Sequence, residues 1–230
     1  MAVDDAGAVP EKHLEFEFGI VQGQPEKGRR EQKLPVMAFT YGLYRGLELG
    51  LGIHRLNSDL KGERPVRGFQ DLHLAAKYNF LEESAWPALA LAFDLKIPTA
   101  NRRVGLSTGR FDEQFLLIAT KNFSLLAANL NFGYLIVDSP PKEKLLHRLL
   151  GGVALRYEVN KQWRLVGDIF GQSRQARGDE NEANFQLGFQ YQPFPPLTFD
   201  AAIGRSLLRS GTRIHGTLGL TWLHSLSSKP

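Results

Sequence analysis

The stretch Leu126–Val137 reads Leu-Ala-Ala-Asn-Leu-Asn-Phe-Gly-Tyr-Leu-Ile-Val. Taken alternately, Leu126, Ala128, Leu130, Phe132, Tyr134 and Ile136 form one apolar set. The intervening set opens on Ala127, Asn129, Asn131 and Gly133. A strand sends successive side chains to opposite faces. A helix would instead repeat its apolar residues every three or four positions. The segment is therefore a strand with one continuously apolar face. In a soluble sandwich that face is buried; in a membrane barrel it meets lipid. The rest of the chain decides between these.

The same period recurs in twelve candidate strands: 13–22, 34–43, 46–54, 69–80, 88–97, 113–123, 126–137, 149–158, 163–172, 184–192, 197–206 and 213–223. Their apolar faces carry residues such as Phe16, Phe39, Leu49, Leu74, Leu91, Leu155, Leu165, Leu187, Phe199 and Leu218. The opposite faces collect the charged and polar groups. These are Glu15 and Glu17, then Glu48 and His54, then Asp71, His73 and Lys77, then Asp94 and Lys96. Further along they are Asn129 and Asn131, Arg156 and Glu158, Arg164 and Asp168, Gln186 and Gln190, Asp200, and His215. The run Phe115 to Ile118 alternates poorly and leaves the facing of strand 113–123 open.

Connections after odd strands are longer and polar, near 23–33, 55–68, 98–112, 138–148, 173–183 and 207–212. Connections after even strands are short. An up-and-down barrel places all long loops at one rim and all short turns at the other, and in outer-membrane barrels the short turns are periplasmic. Lys27, Arg29, Arg30, Arg64, Arg67, Arg102, Arg103 and Arg110 lie in the longer loops. A basic outer rim suits phosphate-rich lipopolysaccharide, with Arg29, Arg30, Arg64, Arg67, Arg102 and Arg103 as contact candidates. Tyr41, Tyr78, Phe80, Tyr157, Trp163, Tyr191 and Trp222 cluster near the short turns, as an interfacial girdle does.

These signals agree on an all-β fold: a transmembrane, up-and-down antiparallel β-barrel of about twelve strands in a bacterial outer membrane. The organisation expected is an N-terminal periplasmic segment over 1–12, a single barrel over 13–224 and a tail over 225–230. Residues 1–12 lack the basic start and apolar core of a secretory leader. No window approaches the ~18–20 apolar residues of a membrane helix. The chain has no Cys, which excludes disulfides and thiolate metal sites. Its net charge of +4 does not point to nucleic acid, because the basic loops lack interleaved aromatics.

A charge facing hydrocarbon costs ~2–4 kcal/mol at the midplane for a basic residue, so the polar set reads as the lumen lining. Two readings stay open for it. The lumen is a narrow passive channel for small solutes, or it is plugged by ion pairs in a structural or lipopolysaccharide-contacting barrel. Twelve strands lie between eight-strand barrels filled by side chains and the open porins. Acids outnumber Lys and Arg in the inward set, which favours cations or neutral polar solutes. No enzyme is expected: a lipid-hydrolysing barrel needs Ser two residues after a lipid-facing His, and none of the six His has it. Asp71 and His73 read as a hydrogen-bonded lumen pair rather than a metal ligand set, and no cofactor is expected.

Three segments carry a resemblance. They are Asp71-Leu-His-Leu-Ala-Ala-Lys-Tyr78, Leu91-Ala-Phe-Asp-Leu-Lys-Ile-Pro-Thr99 and Asn129-Leu-Asn-Phe-Gly-Tyr134. In order and spacing the chain resembles the outer-membrane barrel family labelled "putative MetA-pathway of phenol degradation", whose members are often called transporters. The resemblance implies a role in uptake of aromatic or other small organic compounds. It also implies the barrel-assembly machinery as a partner, which reads a closing aromatic residue. Here Trp222 is followed by Leu-His-Ser-Leu-Ser-Ser-Lys-Pro.

Overall fold

The computed structural model describes residues 3–25, 28–60, 64–140, 144–208 and 212–226. Their strands are β1 His13–Pro25, β2 Gly28–Tyr44, β3 Leu47–Leu60, β4 Val66–Phe69, β5 Leu72–Leu81, β6 Ala88–Ile97, β7 Asp112–Phe123, β8 Leu126–Val137, β9 Arg148–Glu158, β10 Trp163–Gln172, β11 Glu182–Phe194, β12 Leu197–Ser206 and β13 Thr212–Ser225. Neighbours pair antiparallel around the sheet, and β1 pairs with β13 on one side and β2 on the other. Of the thirteen strands, β4 pairs only with β3, so the closed ring has twelve.

The boundaries differ from the expected ones mainly at the long-loop end. There β2 and β3 pair from Gly28 opposite Leu60 downward, although the apolar period starts near Leu34. Backbone hydrogen bonds do not need apolar side chains, so polar sequence in Arg30 to Lys33 continues the ladder opposite Leu56 to Asp59. The expected strand over 69–80 is two elements. Phe69 closes β4, and the break at Gln70 and Asp71 precedes β5.

Facing follows the alternation. Phe18, Leu91, Leu130, Phe132, Leu165, Leu187, Ile203 and Leu218 are exposed on the outer wall, while Asp71, Asn129, Asn131, Asp168, Gln186 and His215 are buried. A soluble monomer rarely leaves so large an apolar belt open. A ten-residue strand tilted by about 40° spans about 25 Å, the height of a lipid-facing band. Near the short turns Trp163 stacks on Tyr191 at 4.5 Å, and Phe194 meets Trp222 edge-on at 6.3 Å. This is the girdle the sequence places there.

Candidate functional site: the lumen and its N-terminal strap

Residues 3–9 run inside the barrel, and Pro10, Glu11 and Lys12 are exposed where the segment meets the rim. The segment enters from the short-turn end. There the Lys12 N–H donates to Gly42 O at 2.8 Å and the His13 N–H to Pro10 O at 3.1 Å. It then crosses the inner wall. The Val9 N–H donates to the Glu48 carboxylate on β3. The Ala6 N–H donates to Thr120 Oγ1 on β7 at 2.8 Å, and Asn79 Nδ2 on β5 donates to Ala6 O at 2.6 Å. The Asn131 amide on β8 takes both backbone groups of Asp4, at 2.7 and 3.1 Å. The Asp5 carboxylate lies 3.8 Å from Arg156 on β9.

Buried backbone must be hydrogen-bonded, and the lumen's polar side chains meet that need. Small residues make the segment slim enough to fit. At Gly152 a Cβ would lie 2.6 Å from Val3 Cγ2, and at Gly42 it would collide with the Val9 and Pro10 carbonyls.

The strap explains the irregular run in β7. Phe115 and Leu117 are exposed on the outer wall, whereas Ile118 is fully buried inside with Ala6, Ala88 and Ala90, and Leu116 packs on that cluster. Two bulky apolar residues face the lumen because an apolar part of the chain meets them there.

The strap covers the wall from β3 to β9 and leaves the other half open. There a cavity of about 660 Å³ runs between Asp4 and Asp5 of the strap and Glu15, Glu17, Gln190 and Asp200 of the wall. A second cavity of about 360 Å³ shares Glu17, Asp200 and Thr221 with the first, and continues past Val21, Val36 and Phe170 to Gln186 and His215. The two adjoin on this side of the lumen.

The sequence-expected lumen residues divide into three groups. Lys77 pairs with Glu48 at 3.3 Å, and Arg164 binds Gln192 at 2.8 Å with Glu158 3.8 Å away. Thr120 donates to Asn129 at 2.9 Å, and Gln186 to Asp168 at 2.8 Å. Glu15, Glu17 and Asp200 have no cation within salt-bridge distance among the described residues.

The third group closes the long-loop end. Asp71, 3% exposed, accepts from the Ala100 N–H at 2.9 Å and the Ser107 hydroxyl at 2.7 Å. Lys96 contacts Asp112, reaches Thr108 at 3.1 Å and lies 3.8 Å from Asp71. These bonds fold the loop after β6 over a cavity of about 370 Å³ that His54 and His73 border. The expected Asp71–His73 pair does not form. Asp71 sits in the break before β5, and His73 Nδ1 instead meets Asp94 at 2.7 Å. Among the described residues no group of His, Asp and Glu could hold a metal.

Arg64, Arg67, Arg102 and Arg103 are exposed at the long-loop end. Arg29 and Arg30 belong to β2, but their side chains lie outside the described ones. At the opposite rim the Asn122 backbone and side-chain N–H groups, with Lys121 nearby, hold Glu83 below the usual carboxylate range. Sequence reading missed the strap and three inward apolar residues, Val21, Val36 and Phe170. The spacing of Val3, Ala6 and Val9 was the one signal for the strap.

Several solved structures share this fold. An outer membrane channel from Pseudomonas putida F1 superposes with a TM-score of 0.75 at 17% identity, over 96% of this chain and 97% of that one. The CymD monoaromatic hydrocarbon channel gives 0.54 at 10% identity, over 99% and 95%. The translocator domain of the autotransporter NalP from Neisseria meningitidis gives 0.58 at 12%, over 96% and 90%. At such identities the likeness is one of fold. No curated protein matches the chain in sequence. The family model described as "Putative MetA-pathway of phenol degradation" matches residues 3–223, nearly the whole length, and the chain belongs to that family.

Proposed function

We propose that the protein is a passive outer-membrane channel for small organic solutes, narrowed by its own N-terminal strap. The observation that carries this reading is the pair of adjoining cavities beside the strap, about 660 and 360 Å³, along β10 to β13 and β1. A barrel filled by side chains would have no such space. Family membership agrees, and so do two structures of like fold, an outer membrane channel and a monoaromatic hydrocarbon channel. The short-turn end is then periplasmic. The exposed Arg64, Arg67, Arg102 and Arg103 lie at the lipopolysaccharide side, where phosphate groups are their natural counterions.

The lower cavity favours cations and neutral solutes over anions, because six acids line it (Asp4, Asp5, Glu15, Glu17, Glu48 and Asp200) against three bases, Lys77, Arg156 and Arg164. Single-channel recordings of the full chain in a planar bilayer test this. A small, cation-preferring conductance is expected; anion preference or silence at all voltages would count against it. The strap's own hydrogen bonds to β3, β5, β7 and β8 favour a second reading, a barrel held shut. In that case the wild-type barrel is silent and conducts only when the strap is displaced.

A further inference from the structure

The lower cavity of about 660 Å³ holds two unlike groups on different parts of its wall. The first is acidic. Glu15 and Glu17 share the inward face of β1, and Asp200 stands on β12. On β13, the strand between them, a Cβ at Gly219 would collide with the Asp200 carboxylate. That carboxylate therefore lies over β13, on the side of β1. Thr221 stands opposite Glu17, and Thr198 stands opposite Thr221, so two hydroxyls border the same patch. None of the three carboxylates has a salt-bridge partner among the described residues.

The second group is Arg156 on β9. Around the ring β10, β11, β12 and β13 separate it from β1, so it borders the cavity from the far side. A guanidinium offers five N–H donors in a planar fork that matches a carboxylate. Among the described residues this one makes no hydrogen bond, and its Nε is buried without a partner. Its cross-strand neighbours Ala127 and Val166 have no acceptor in their side chains. The Asp5 carboxylate stays 3.8 Å away, and its other oxygen accepts from the Gly7 N–H at 2.8 Å. The cavity's other bases are engaged more closely, Lys77 with Glu48 at 3.3 Å and Arg164 with Gln192 at 2.8 Å.

A solute with a single charge uses half of this arrangement. A cation meets the three carboxylates and leaves the guanidinium donors unmet. An anion reaches those donors only against an excess of like charge. A molecule with a positive and a negative end meets both groups. We infer that the lower cavity binds a small linear zwitterion, its ammonium among Glu15, Glu17 and Asp200 and its carboxylate on Arg156. The inference deepens the channel reading and rests on it.

Three probes of one length separate the two contacts. They are ε-aminocaproate, a zwitterion; its primary amide, a cation; and its N-acetyl derivative, an anion. Saturation-transfer NMR on the full chain folded in neutral dodecyl maltoside micelles compares them. The expected result is an ε-aminocaproate signal several-fold above both others, falling to the amide's level in Arg156→Gln. An amide signal equal to that of ε-aminocaproate in the wild-type barrel would overturn the inference, because the cavity would then select positive charge alone. An ε-aminocaproate signal that Arg156→Gln leaves unchanged would overturn it too. The wild-type comparison decides by itself if that variant does not fold. Bilayer conductance is recorded separately. A barrel that conducts yet does not distinguish the three probes removes this inference alone. A barrel that prefers ε-aminocaproate and never conducts removes the channel reading.

Discussion

Glu83 stands at the short-turn rim, where its carboxylate accepts from the Asn122 N–H at 2.9 Å and lies 3.3 Å from Lys121. These donors favour the charged form, so its folded pKa lies below the ordinary value of 4.5. The stabilisation is fully present above 4.5 and disappears as pH falls through the lower, folded value. The Asn122 amide shift should titrate with a midpoint under 4.5; a midpoint at or above it would remove the effect. The melting-temperature gap between wild type and Glu83→Gln should close over the same range. Other single residues show what a sequence can and cannot disclose. Asp168 and Gln186 were legible as lumen residues because a polar group facing hydrocarbon is costly. Phe170 and Ile118 were not, because an apolar side chain is equally at home against lipid or against a buried strap. Alternation gives parity, and only contact says which apolar face is inside.

Among the elements, the strands were the legible part. Period two appears wherever one wall is apolar and the other wet, and that is the membrane portion of the barrel strands except in β7, where Leu116 and Ile118 meet the apolar strap. Beyond it the ladder of β2 and β3 runs on through polar residues and β4 joins it, with no period to announce either. Apart from the spacing of Val3, Ala6 and Val9, the strap was unmarked for a related reason. It has no regular secondary structure, and its hydrogen bonds go to side chains far along the chain, as Asp4 to Asn131 does. Its weakest point for a charge is Ala6, which is fully buried among Ala88, Ala90 and Ile118. Ala6→Asp places an unpaired carboxylate in that cluster, a cost large enough to expel the segment. Bilayer recordings of this variant should show a conductance several-fold above wild type. An unchanged conductance would mean that the strap does not limit flow.

At the scale of the whole molecule, the barrel is asymmetric in charge as well as in loop length. Exposed arginines mark one end, and carboxylates with no salt-bridge partner among the described residues line the cavity toward the other. A combined Glu15→Gln, Glu17→Gln and Asp200→Asn variant should lose most of its cation preference, read as a shift of reversal potential toward zero in a salt gradient. Retention of the full shift would place the selective charges elsewhere, for instance at Asp4 and Asp5. The strap also sets Val3 and Leu226 in opposite surroundings. Leu226 is exposed at the rim, where its N–H bonds to Lys12 O at 2.8 Å, whereas Val3 is buried inside the barrel against Gly152. A bulky label attached at Leu226 starts at the rim, but one attached at Val3 starts within the bore beside the carboxylates. The same label would therefore obstruct the passage at Val3 and leave it clear at Leu226.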